Sequence, residues 1–156
     1  MNESRPIKVS FSFYPADMAA LGTRVNELNE TGIKAREATV LRALIHLGAP
    51  DAMFSSAVKL TASEALSAQA EDAPNVSGHP TIDAELADIA KLDGVLERLA
   101  KAGITQSRSF VIRAMLNSAP RGRELMALMK RFREAVPNKP RGLSKLRLAA
   151  KRQSRG

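Results

Sequence analysis

The segment that most constrains this chain lies near its N-terminus. Ile7, Lys8, Val9, Ser10, Phe11, Ser12 and Phe13 alternate strictly. Ile7, Val9, Phe11 and Phe13 fall on one side, and Lys8, Ser10 and Ser12 on the other. Period-two alternation with β-branched and aromatic residues predicts a half-buried strand. No other segment reads as a clear strand. A lone strand can neither pair its backbone groups nor bury its apolar face. The economical partner is the same strand from a second chain. That predicts a two-stranded antiparallel ribbon and an isologous homodimer.

Helices follow. Pro15 cannot extend a ladder but suits the first turn of a helix. Met18, Leu21, Val25 and Leu28 then make one apolar stripe, and Gly32 is placed as a left-handed residue just past its end. Val40, Leu41, Ala43, Leu44 and Leu47 make a second stripe, ending near Gly48 with Pro50 beyond.

Lys8-Val9-Ser10-Phe11-Ser12-Phe13, Leu21, Leu28, Gly32-Ile33 and the run Arg36-Glu37-Ala38-Thr39-Val40-Leu41-Arg42-Ala43-Leu44 together resemble the ribbon-helix-helix superfamily of small dimeric DNA-binding regulators, over residues 7–48. The Gly32-to-Val40 spacing is one residue longer than the usual pattern. Tyr14-Pro15 adds a residue between strand and helix, which leaves the strand's phase open. Burial decides it, because three large apolar side chains in a groove would forfeit their transfer energy. The resemblance therefore implies that Lys8, Ser10 and Ser12 read base edges in the major groove of a near-palindromic site. It also implies that the start of the second helix, at Lys34, Ala35 and Arg36, holds a backbone phosphate. Arg42 and His46 are read as exposed or charge-complementing residues of that helix.

Charge is distributed unevenly. Net charge is +8, but residues 50–95 sum to −6 and residues 121–156 to +10. Lys139, Arg141, Lys145, Arg147, Lys151, Arg152 and Arg155 form a basic tail without an acid, which points to a polyanionic partner. Aromatics are 4% of the chain, and it has no cysteine and only two histidines, His46 and His79. No cofactor and no metal are expected. No glycine-rich phosphate loop, nucleophile elbow or histidine–acid pairing marks an enzyme. The N-terminus lacks an apolar leader region and no stretch matches a membrane span, so a cytoplasmic, nucleoid-associated protein is expected, with no membrane partner.

The expected class is mainly α. Residues 1–50 form the ribbon-helix-helix module, and 51–80 a weakly helical segment and linker. Residues 81–136 form a second small helical unit, and 137–156 the tail. Residues 21–47 recur at an offset of 71: Leu21 meets Leu92, Leu28 meets Leu99, Gly32-Ile33 meets Gly103-Ile104, Val40 meets Val111, and Arg42-Ala43 meets Arg113-Ala114. Duplication and two generic helical hairpins both account for this. Ile82, Leu86 and Ile89 are spaced for one helical face, so 81–90 reads as helix and the second copy as lacking its strand. That copy is assigned to oligomerisation, a protein partner or phosphate contact.

The expected function is a transcriptional regulator binding double-stranded DNA. A DNA-binding accessory of a mobile element and an antitoxin-like protein-binding module are the alternatives.

Overall fold

A computed structural model of the chain describes residues 6–70 and 76–136. The elements run β1 (Ile7–Ser10), α1 (Pro15–Glu30), α2 (Glu37–Leu47), α3 (Pro50–Ala70), β2 (Thr81–Ala84), α4 (Leu86–Lys101), α5 (Arg108–Asn117) and α6 (Gly122–Ala135). The protein is thus mainly helical, with one small antiparallel sheet. One strand followed by three helices occurs twice.

The first strand finds its partner in its own chain, not in a second one. β1 pairs antiparallel with β2, Ile7 facing Ala84, Lys8 facing Asp83, Val9 facing Ile82 and Ser10 facing Thr81. The ladder runs on past both strands. Phe11 N–H donates to Pro80 O at 2.9 Å, and Phe13 N–H to Gly78 O at 2.9 Å. Residues 81–84, whose spacing predicts a helix, form the strand β2 instead. Thr81-Ile82-Asp83-Ala84 also alternates, with Ile82 and Ala84 buried and Thr81 and Asp83 exposed. The helical spacing of Ile82, Leu86 and Ile89 is coincidental. Leu86 is 51% exposed and so lies on no buried stripe. Glu85 has extended dihedrals and only there does the helix begin.

Residues 51–70, where the sequence predicts one or two helical turns, are helical throughout. They belong to the 21-residue helix α3. The segment is rich in Ala, a strong helix former, and Met53 and Ala57 are fully buried, so tertiary packing adds what local propensity leaves marginal.

The offset of 71 relates whole elements. α1 maps onto α4 residue for residue, 15–30 onto 86–101. Both end in the same Schellman turn. Gly32 and Gly103 have φ of 88° and 86°. Ile33 N–H donates to Leu28 O at 2.9 Å, and Ile104 N–H to Leu99 O at 2.8 Å. Left-handed backbone at these two positions is what requires glycine.

The copies interlock. α3 packs on α4 and α5, while α6 packs on α1 and α2. Among the described residues, all the buried apolar ones form one cluster, running from Phe11 and Phe13 through Leu41, Ile82 and Leu99 to Phe132. Glu27 on α1 accepts from Arg121 Nε at 2.8 Å and from the N–H of Gly122 at 3.2 Å. Those bonds hold its carboxyl below the ordinary range, so the tie of α1 to α6 persists as pH falls into that range and weakens only below it.

Because the ribbon closes within one chain, the thermal unfolding midpoint is expected to stay constant over a hundredfold range of protein concentration. A midpoint that climbs with concentration would mean that strands are exchanged between chains.

Candidate nucleic-acid interface

The ribbon has two unlike sides. Phe11, Phe13, Ile82 and Ala84 are buried beneath it, each 3% exposed or less. Val9 is half-buried, and Ile7 at the open end is 39% exposed. Burying each large side chain contributes about 1.5–3 kcal/mol, and this fixes the phase. Lys8, Ser10 and Ser12 therefore lie on the exposed side, as the sequence predicts.

The same side carries His79, Thr81 and Asp83, also exposed, which sequence reading missed. Their signal was present in the offset of 71, since it maps Lys8 to His79, Ser10 to Thr81 and Ser12 to Asp83. The face is a grid of three cross-strand rows: Lys8 with Asp83, Ser10 with Thr81, and Ser12 with His79. The middle row lies on the pseudo-twofold axis, because Ser10 faces its own counterpart. Their hydroxyls share a hydrogen bond of 2.7 Å across the strands. Ser12 is further fixed through its N–H, which donates to Ser109 Oγ of α5 at 2.8 Å.

The start of α2 is placed less simply. Helix α2 begins at Glu37, with Arg36 as its extended N-cap residue. The N–H of Ala35 already donates to Asn29 Oδ1 at 3.1 Å, and that of Arg36 to Thr39 Oγ1 at 3.3 Å. Ala35 itself is buried, while Lys34 and Arg36 are exposed. An anion here would meet those two cationic side chains rather than the amide of Ala35. At the equivalent start of α5, Ser107 caps the helix by accepting from Phe110 N–H at 3.3 Å. Arg108 there makes a forked pair with Asp93, at 2.8 and 2.9 Å.

Beneath the ribbon, each first helix is joined to the other copy's second helix through an aspartate. Asp17 on α1 accepts from Arg113 Nε of α5 at 2.7 Å, and both residues are buried. Asp17 also accepts from the N–H of Tyr14 at 3.0 Å, and the Arg113 guanidinium sits 4.3 Å from the Tyr14 ring centre. Glu64 is a further partner of Arg113. Burial alone would weaken that charge, but the bonds to Glu64 and Asp17 outweigh it and hold the guanidinium above its ordinary pKa.

The equivalent aspartate, Asp88 on α4, meets His46 of α2, whose Nδ1 lies 3.1 Å from its carboxylate. Arg42, the counterpart of Arg113, lies instead 5.5 Å from the Phe132 ring centre. Glu85 joins His46 and Asp88, so that one possible ligand atom from each lies within 4.8 Å of the others. Sequence reading gave His46 no such partners, because they come from the other copy. Lys91 donates to the carbonyls of Ile45, His46 and Gly48 at 2.8–3.0 Å and so caps the end of α2. Arg24 does the same for α5, bonding Ala119 O at 2.8 Å.

The basic-tail residues Lys139, Arg141, Lys145, Arg147, Lys151 and Arg152 lie outside the described residues. No helix among those described is long and apolar enough to cross a membrane.

Two substitution pairs test this geometry by chemical denaturation. Phe11→Ala should cost about 3–5 kcal/mol, and Ser12→Ala under about 0.5 kcal/mol. A reversed ranking would mean that the strand's faces are exchanged. Arg113→Ala should cost about 3–5 kcal/mol, since it strands a buried carboxylate. Arg42→Ala, losing a contact with a ring, should cost about 1 kcal/mol. Comparison of the chain with protein-family models, with curated proteins and with solved structures gives no match.

Proposed function

We propose that this protein is a sequence-specific binder of double-stranded DNA, a transcriptional regulator of the ribbon-helix-helix type whose two-stranded ribbon is built by one chain. The carrying observation is the exposed ribbon face, with six short or polar side chains at alternate positions over a fully apolar underside. The major groove admits a two-stranded β-ribbon. Lys8 is suited to donate to guanine O6 and N7, and the hydroxyls of Ser10, Ser12 and Thr81 to donate or accept at several bases. The hydrogen-bonded centre and the buried underside hold these groups at fixed spacing, so little ordering is left to be done on binding.

Lys34 and Arg36 are the proposed phosphate contacts, and the seven cations from Lys139 to Arg155 add attraction that does not depend on base sequence. An ordinary member of this class needs two chains for a ribbon. Here the partner strand is internal, and one chain is one reading unit.

Selection from random duplex DNA with the full-length protein is the direct test, and enrichment of one motif is expected. In binding titrations Lys8→Ala should lose about 1–3 kcal/mol of discrimination at its base. Lys34→Ala should weaken binding to all sequences alike and lower the salt slope by about one. Truncation after Asn138 should flatten the salt dependence further. Binding that selects no motif would sink the proposal and shift the function to the basic tail.

A further inference from the structure

We infer that the DNA site is directional, lacking dyad symmetry, because the two strands of the ribbon carry different readers; this rests on the DNA-reading proposal above. A ribbon made by two identical strands presents every reader twice, and its preferred site repeats about the axis. Here the axis passes through the Ser10–Thr81 pair, 71 residues apart in sequence. The backbone obeys the axis and the side chains do not. Lys8 is answered by His79, and Ser12 by Asp83.

The register places the unlike chemistry at one end. Lys8 and Asp83 face each other across the ladder, both exposed. Facing side chains on a ladder stand about 5 Å apart at Cβ. An ammonium donates to the O6 and N7 of guanine, while a carboxylate accepts from the N4 amino group of cytosine. Together they match the two bases of a G·C pair. At the other end Ser12 and His79 form the row that continues the ladder between Phe11–Pro80 and Phe13–Gly78, and neither is a carboxylate or an ammonium. The carboxylate of Asp83 adds exclusion to preference. Guanine shows only acceptors at its major-groove edge, so a carboxylate against it would be repelled. A G·C requirement is therefore expected on one side of the site centre and not on the other. One chain occupies the site in one orientation.

The test is motif selection from random duplex DNA with the full-length wild type and with a symmetrised variant, H79K/T81S/D83S. The three positions are exposed, so both strands would present Lys-Ser-Ser over an unchanged core. The wild type is expected to enrich a motif with no dyad, with one chain per site by native mass spectrometry. The symmetrised variant is expected to enrich a palindrome. Lys8→Ala in the wild-type background should relax base choice at one end only, by about tenfold or more. A palindromic wild-type motif would overturn the inference while leaving the DNA reading in place. No motif from the wild type would remove the DNA reading itself, and this inference with it.

Discussion

The pairing of β1 with β2 is the interaction on which the rest depends. Seven alternating residues carry backbone groups that must be bonded and apolar side chains that must be covered. Both needs are met by a segment 71 residues away in the same chain. Phe11, Phe13 and Ile82 lie on the floor of that ladder, in one buried cluster with residues of α1, α2, α4 and α5. The third helices then cross over, α3 onto the second copy and α6 onto the first. The buried residues of both halves form a single cluster, so among the described residues neither half has a core of its own.

Repetition of the backbone with divergence of the side chains runs through the whole molecule. The Schellman turns at Gly32 and Gly103 are nearly superposable in their bonds, because left-handed backbone leaves little choice of residue. The aspartates Asp17 and Asp88 keep their places at the starts of α1 and α4, yet their partners differ. One holds a buried arginine and the other a histidine. Lys91 and Arg24 cap opposite helices from the equivalent first helices with different cations. Two like units within one chain can carry different side chains in this way, whereas identical chains must change both places at once. The ribbon face shows the same difference between the two units, and it is there that it bears on the proposed recognition.

An arrangement in which both strands belong to one chain also bears on the energetics of the proposed DNA reading. A dimeric reader must associate before it binds, and its site occupancy falls steeply on dilution. A fused reader escapes that concentration dependence. The hydroxyl pair at the centre, Ser10 with Thr81, links the strands where the two copies meet, and the ribbon's polar face is presented already assembled.

The sequence by itself determined the local pieces: the first strand and its phase, the helix stripes of α1 and α2, the two glycine turns and the offset that relates them. Each is written in short-range periodicity or in a backbone angle that only glycine adopts readily, so each survives without tertiary context. What only the tertiary structure decided was pairing. Thr81 to Ala84 offers just two inward residues, too few to announce a strand against a competing helical spacing, and it becomes one because β1 lies beside it. The long helix α3 has a weak stripe of its own and is stabilised by Met53 and Ala57 sinking into the other copy. His79, Thr81 and Asp83 joined the exposed face, and His46 met Asp88, only when residues distant in the chain were brought together. Non-local contact carries no local signature, and so half of the candidate interface could not be read until the ribbon was closed.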